Sequence, residues 1–324
     1  MRLEYQILAA MALDLLIGDP RWLPHPVRAI GRLATGLEGP VRRLVGRPRL
    51  AGTIVAVLVV GVSAALTWLV VAVCADLHPV AGWVLGGLLI YSTVALRDLI
   101  RHARAVHRAL SDGNLEAARV RVGRIVGRDT EHLDEGEVTR AAVESVAESI
   151  VDGITAPLFW AVIGGPAGAV AYRATNTLDS TFGYMDAKHR EFGWASARLD
   201  DVANYVPARL TAPLITLAAF ALRMRARSSW RILWRDARQH ASPNAGFAES
   251  AVAGALGVQL GGLNYYFGQP SEKPTIGDPQ EELAPHHITR TIALAVTASL
   301  LFLGFCLPAR AGVVWILSNG GAPA

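Results

Sequence analysis

From Gly52 to Ala75 the chain runs without one charged residue. A helix that crosses a bilayer needs roughly 20 mostly apolar residues, and this run meets that length. An apolar surface on every side of a helix suits lipid, not a water-facing flank. Val80 to Leu96 nearly repeats the condition before Arg97, and Thr291 to Leu307 repeats it before Arg310 and the short apolar tail Val313 to Leu317. Tyr5 to Ile17 is apolar but short, and it holds Asp14. A carboxylate is costly in lipid, so Asp14 is expected to face protein or a polar cavity. Composition agrees: 52% hydrophobic, 18% charged and mean hydropathy +0.32 over 324 residues. Backbone groups in lipid must be satisfied within the segment, which leaves helices for spans of this length. The expected fold is all-α: a polytopic integral membrane helical protein with large cytoplasmic helical loops and re-entrant or buried hairpins.

Charge orients the spans. The loop from Gly18 to Ala51 carries Arg21, Arg28, Arg32, Arg42, Arg43, Arg47 and Arg49, whereas Asp76 to Pro79 carries no Lys or Arg. Positive loops stay inside, so the first is expected to be cytoplasmic and the second external. Residues 97–153 then return to the cytoplasm. Ile154 to Tyr172 is long enough to cross once, but both flanks are polar and Gly164-Gly165-Pro166 breaks it near the middle. A buried or re-entrant hairpin fits these charges. Val206 to Leu222 has Arg209 at one end and Arg223, Arg225, Arg227 and Arg231 beyond the other, and poses the same question. The sequence reads as one membrane-embedded domain, 1–324, with clear spans near 52–75, 80–96 and 291–307 and polar loops at 97–153, 173–205 and 223–290. The acidic, Pro- and Gly-rich stretch Gly268 to Pro285 reads as a surface excursion, and the N-terminus as retained.

The remaining composition mainly excludes. Net charge is only +4, so the pI of about 9.3 does not point to nucleic acid. Cys74 and Cys306 sit in apolar runs and form neither a disulfide framework nor a ligand spacing. His102 and His107 are five apart and His286 and His287 adjacent, and neither spacing aligns two imidazoles on a helix face. No zinc, haem or iron–sulfur site is expected. No Walker A loop or dinucleotide fingerprint is present.

Polar chemistry collects in four places. Glu137, Glu144, Glu148 and Asp152 fall within roughly an 80° arc of one helix. Carboxylates at that spacing repel. Water on a solvated face relieves the repulsion, and so does Mg²⁺, which takes one or two carboxylates together with phosphate oxygens. The second place is Tyr172 to Arg209, where Arg173, Asn176 and Ser180 share a face beside Asp179. Tyr184, Asp186, Lys188, His189, Arg190, Asp200, Asp201 and Asn204 follow. This is more polar density than a connector between two apolar stretches needs. The third is His240, Ser242-Pro243-Asn244, Gly246 and Glu249, turn chemistry ahead of a helix whose N–H groups can meet an anion. Asn264 with Tyr265, Tyr266 and Phe267 follows it. The fourth is Gly18-Asp19-Pro20 with His25-Pro26.

Taken together, these sites resemble a known family. Leu13-Asp14 to Pro20 with His25-Pro26-Val27, Glu144-Ser145 to Glu148 with Asp152-Gly153 and Ala156-Pro157, and Tyr172-Arg173 with Asn176 and Asp179 carry the likeness. So do Phe192 to Asp201 with Asn204 and Arg209, Ser242-Pro243-Asn244-Ala245-Gly246, and Asn264 to Gly268. The run is similar to the adenosylcobinamide-phosphate synthase family of cobalamin biosynthesis, in order and over almost the whole chain. One departure is Ser149, where the family commonly has Asn after the acidic pair.

The resemblance implies an ATP-dependent ligase of the cell (cytoplasmic) membrane. It would join adenosylcobyric acid to (R)-1-amino-2-propanol or its O-phosphate through an amide bond. ATP and Mg²⁺ are the implied cofactors. The corrinoid, the aminopropanol (phosphate) and membrane lipid are the implied partners, without nucleic acid, and an oligomer is compatible. Catalytic candidates are Glu144, Glu148, Asp152, Asp179, Asp200 and Asp201, the first three also as Mg²⁺ ligands. Substrate and phosphate candidates are Arg128, Arg173, Asn176, Lys188, Asn204, Arg209, Asp19, His25, Ser242, Asn244 and Asn264. The competing classes are a membrane signalling protein related to β-lactamase induction and a transporter. A transporter should carry its ionisable groups inside its spans, where only Asp14 clearly lies.

Overall fold

A computed structural model describes residues 2–20, 25–183 and 189–319. Its helices in chain order are α1 (Leu3–Ile17), α2 (Pro26–Val45), α3 (Pro48–Leu77), α4 (Pro79–Tyr91), α5 (Leu96–Ser111), α6 (Leu115–Val122) and α7 (Glu135–Ile150). A π-helical turn, Val151–Thr155, leads into α8 (Ala156–Phe182). Then come α9 (Trp194–Ala221), α10 (Ala226–Asp236), α11 (Ala245–Leu256), the strands β1 (Leu260–Tyr266) and β2 (Gln269–Ile276), and α12 (His286–Asn319). The fold is all-α apart from that hairpin. Among the described residues, four helical stretches are long and apolar enough to cross a membrane: Pro48–Leu77, Pro79–Ser111, Glu135–Phe182 and His286–Ile316. The chain forms two compact units, one from residues 1–95, 156–204 and 303–324, the other from 96–155 and 205–302.

In the first unit, Pro48 and Pro79 sit at the starts of α3 and α4, where a missing N–H costs nothing. One stripe of α3, including Gly52, Val55, Ala56, Val59 and Ser63, is buried against α2 and α8. The opposite side leaves Val57, Leu58, Leu66, Trp68, Leu69 and Val73 exposed, the surface a lipid-facing helix presents. Small residues close the contacts: a Cβ at Gly82 would lie 2.5 Å from the Ala75 Cβ. Gln6 Nε2 donates to the Trp83 carbonyl at 2.6 Å. Asp14 is buried, 1% exposed, so it faces protein as its charge requires.

The break at Gly164-Gly165-Pro166 is where the sequence places it. Gly165 has φ 59° and ψ −149°, a conformation that favours glycine, and Pro166 follows. The chain doubles back there, because Gly168 packs on the Trp160 carbonyl eight residues earlier. In a straight helix those residues would stand about 12 Å apart along the axis. The stretch is a tight helical hairpin.

In the second unit, α11 is buried at every position and packs on α7, α10 and β2. Helix α7 begins with a capping box: Asp134 accepts from the Glu137 N–H at 2.7 Å and Glu137 from the Asp134 N–H at 2.9 Å. The stretch expected as an irregular excursion after Gly268 contains β2, paired antiparallel with β1 from Leu260↔Ile276 to Tyr266↔Gln269. Phe267 and Gly268 have φ of 53° and 73°, the left-handed pair of a two-residue hairpin turn. The Asp129 carboxylate accepts from both their N–H groups, at 3.2 and 2.7 Å. The sequence reading missed this hairpin because Gly261, Gly262, Pro270 and Pro274 obscure the strand alternation.

Candidate functional site

The acidic face of α7 divides into distinct roles. Glu137 serves the capping box. Glu144 is buried with both oxygens engaged: Oε2 meets Arg128 Nη1 at 2.8 Å, and Oε1 accepts the Gly261 N–H at 2.8 Å. That amide is delivered by a bulge at φ 83°, where any side chain would strike the Pro274 carbonyl. Arg128 also donates to Asn264 Oδ1, and Arg140 Nη2 donates to the Leu263 carbonyl at 2.9 Å. Arg128, Glu144 and Asn264 therefore form one buried lock between the loop before α7 and β1. Glu148, one turn beyond Glu144, is exposed although Val146, Ala147 and Ile150 around it are buried. Asp152 is half-buried and lies beyond the end of α7. It lies in the π turn, where the Thr155 hydroxyl donates to the Ile150 carbonyl five residues back at 3.1 Å. Such turns recur at functional sites.

Two residues that the sequence reading noted without a role, and one it missed, stand beside this face. Glu249 is 5% exposed on α11. Burial, reinforced by the charges of Glu144 and Glu148, pushes its carboxyl well above the usual carboxylate range, with Lys273 and Arg128 pulling the other way. His240 Nε2 is 3.7 Å from Glu249 Oε1. Its Nδ1 accepts the Ser242 N–H at 3.0 Å, which leaves the proton of the neutral ring on Nε2, buried and beyond hydrogen-bond distance of the carboxyl. Burial, then Lys273, lowers the pKa of this imidazole. Burial also opposes the charge on Lys273, but Tyr266, Glu249, Glu144 and Glu148 outweigh it and hold the ammonium above its ordinary pKa. The sequence signals were thin: a lone acid in an otherwise small and apolar α11, and an inward position on β2 between exposed Glu272 and Pro274.

The third predicted place is tied into the start of α11. Ser242 Oγ accepts the Asn244 and Ala245 N–H groups at 3.3 and 3.2 Å and so starts α11. Arg209 Nη1 donates to Asn244 Oδ1 at 3.2 Å, and its guanidinium lies 3.4 Å from the Tyr205 ring centroid and 4.4 Å from that of Phe247.

The first unit holds a separate polar group. Asp200 Oδ2 accepts from Asn204 Nδ2 at 2.9 Å and Oδ1 from Asn176 Nδ2 at 3.4 Å. Tyr172 donates its hydroxyl to Asn204 Oδ1 at 2.8 Å, and Arg173 Nη1 donates to Asn176 at 3.3 Å. Burial, then the Asp179 charge, raises the Asp200 carboxyl to about 7 despite the two amides. Asp201 pairs with Arg198 at 3.1 Å, and its charge adds to the upward push on Asp200. His25 caps α2 through the Val27 N–H at 3.3 Å and stands 3.6 Å from Asp19. Tyr184, Asp186 and Lys188 lie outside the described residues. Glu281, His286 and His287 bring donor atoms within 4.8 Å of one another, but Arg225 already holds Glu281 Oε1 at 2.6 Å, so the group works as an ion-paired start to α12.

The sequence model of the CobD/CbiB protein family matches residues 7–295. The cobalamin biosynthesis protein CobD of Geobacter metallireducens is 50% identical over 92% of this chain and 93% of its own length. The CobD protein of Leptospira interrogans is 45% identical over 97% and 100%. The cobalamin biosynthesis protein CbiB of Salmonella choleraesuis is 46% identical over 94% and 96%. No solved structure matches the chain. A family model that matches nearly the whole chain, and identity of this depth over nearly full lengths, make the chain a member of the CobD/CbiB family of cobalamin-biosynthesis proteins.

Proposed function

We propose that the chain joins the free propionate of adenosylcobyric acid to (R)-1-amino-2-propanol, or its O-phosphate, in an ATP-dependent amide ligation. The observation that carries this reading is the mixed-charge group of the second unit: an accessible Glu148 and a buried, easily protonated Glu249 beside Lys273 and Arg128. A carboxylate and an ammonium do not condense unaided near neutral pH. Transfer of the ATP γ-phosphoryl to the propionate makes an acyl phosphate and releases ADP. The amine nitrogen then attacks the acyl carbon, phosphate leaves with its oxygen, and the nitrogen must shed a proton.

Each demand has a residue suited to it. Glu249, with His240 behind it, is a stronger proton acceptor than an ordinary carboxylate, because burial and its acidic neighbours raise its pKa. Lys273 offers a point charge for phosphate oxygens. Arg128 is bound to Glu144 and Asn264, so it contributes through the shape and potential of the wall. For Mg²⁺, the donor chemistry fits Glu148 and Asp152, a pair of the size the ion takes alongside phosphate oxygens. Glu144 fits less well, because Arg128 and the Gly261 N–H hold its oxygens. When bound, the ion supplies charge neutralisation of the transferring phosphoryl group.

The test is ATP-dependent conversion of adenosylcobyric acid by proteoliposomes carrying the purified protein, with each amine in turn and product mass as the readout. Conversion that requires ATP, Mg²⁺ and one of the amines supports the reading. No product from either amine overturns it.

A further inference from the structure

Helix α10 and the turn before it carry a surface that the reaction above does not use. One side of α10 is buried on α11 through Ser229, Ile232, Leu233 and Asp236. The other side exposes Trp230 and Trp234, at 48% and 58%, with ring centroids 5.4 Å apart. At 100° per residue, Trp230, Trp234, Arg227 and Arg231 fall within roughly a 100° arc, indoles at one edge and guanidinium groups at the other. Leu217 and Phe220, 47% and 72% exposed, precede the turn on α9. The turn itself places Arg223 at φ 56°, where glycine is the easier residue.

The charge on this surface is only partly balanced. Arg225 pairs with Glu281 at 2.6 Å, Arg231 with Asp278 at 2.7 Å, and Arg235 with Asp236 and Asp278 at 2.7 and 2.8 Å. Arg223, Arg227 and Arg238 are exposed and have no acidic partner within 4.0 Å among the described residues. Indole rings beside guanidinium groups, with exposed Leu217 and Phe220 just before the turn, match the layered chemistry of a bilayer edge: acyl chain, glycerol zone, then phosphate. A nucleic-acid face would use the arginines but gives no reason for exposed Leu217 and Phe220.

We propose that the α9–α10 turn and the outer face of α10 form a docking surface for anionic phospholipid headgroups, with Trp230 and Trp234 in the interfacial layer and Arg223 and Arg227 on lipid phosphates. The surface is independent of the ligation chemistry. It requires anionic lipid beyond what any membrane helix requires. Each arginine near an anionic surface contributes about 1 kcal/mol, so two of them give roughly a tenfold or greater preference for anionic lipid.

The full chain is reconstituted in phosphatidylcholine vesicles containing either brominated phosphatidylglycerol or brominated phosphatidylcholine, at matched bromine content, and tryptophan emission is read. The expected result is stronger quenching by the brominated anionic lipid. That excess should vanish in a Trp230→Phe/Trp234→Phe variant and in an Arg223→Gln/Arg227→Gln variant. The quenching common to both lipids, from Trp68 on the exposed side of α3 (66% exposed) and other lipid-facing indoles, should persist and report correct insertion. Millimolar inorganic phosphate should leave the excess in place, which separates a lipid surface from a free-phosphate site. Equal quenching by the two lipids, an excess that survives loss of both arginines, or loss of the excess on adding inorganic phosphate or an RNA oligonucleotide would each overturn the proposal.

Discussion

Asp200→Asn should stabilise the protein in alkaline solution. Burial, then Asp179, lifts the Asp200 carboxyl from 3.8 to about 7 in the folded chain. The folded state therefore holds its proton more tightly than the unfolded one. Below pH 3.8 both states are protonated and the group contributes no difference. As pH rises from 3.8 the unfolded state loses the proton first, and folding loses stability until about pH 7, where the penalty levels off at roughly 4 kcal/mol. At pH 5 the same linkage gives a penalty of only about 1.7 kcal/mol. An asparagine has the shape of the neutral acid and never ionises. It offers one acceptor oxygen where Asp200 receives both Asn204 and Asn176, so about 1 kcal/mol is lost at every pH.

The net expectation is a gain that grows with pH. Relative to the parent, the variant's advantage should grow by about 2–3 kcal/mol between pH 5 and pH 8, because the constant hydrogen-bond loss cancels. Unfolding midpoints in detergent, by tryptophan emission at both pH values, measure it. A variant destabilised equally at pH 5 and pH 8 would refute the reasoning, since it would mean Asp200 is already ionised at no cost. Adding Mg²⁺ sharpens the test. If the ion stabilises the parent at pH 8 but not the variant, the metal binds at Asp179 and Asp200 and not at the π-turn acids.

Other perturbations separate roles within the two units. Glu148→Gln should remove most turnover and its Mg²⁺ dependence while the protein still accumulates, and Glu137→Gln should not, because glutamine can still serve the capping box; turnover against Mg²⁺ concentration for both variants decides it. Arg128→Met leaves Glu144 buried without its partner and should cost about 3–5 kcal/mol, partly recovered in Arg128→Met/Glu144→Gln, as read from unfolding midpoints. Arg173→Lys should lower kcat/KM at least tenfold if a planar fork is needed beside Asn176. Arg124→Lys, on an exposed side chain, is its control. Arg225 is unsuitable as that control, because it ties Glu281 and the Leu256 carbonyl at 2.6 and 2.8 Å.

What the sequence shows and what it hides follow from the range of the forces. Apolar run length is local, so α3, α4 and α12 were legible, as was the Gly164-Gly165-Pro166 break, which backbone sterics alone dictate. Helical spacing is also local, and it grouped Arg173 with Asn176 and Asp200 with Asn204 as one-turn neighbours, which are hydrogen-bonded. It could not say that Glu144 and Glu148, one turn apart and chemically identical, do different work. That difference comes from Arg128, from the Gly261 amide and from Asn264, which lie sixteen to 120 residues away in sequence. The role of Glu249, and Lys273 altogether, escaped for the same reason. A lone acid in a helix of alanines reads as a surface position until the helix is found buried on every side. The regular α-helix ends at Ile150, and Asp152 lies in a π turn, which adds a residue, so 100° steps no longer apply to it. With that extra residue Asp152 need not repeat the position of Glu144, whose oxygens the lock already holds. Removing one residue from Val151–Thr155 to restore a regular helix should therefore keep the membrane-inserted protein but abolish its Mg²⁺-dependent turnover; a shortened chain with normal Mg²⁺ dependence would show that the turn is only a packing adjustment.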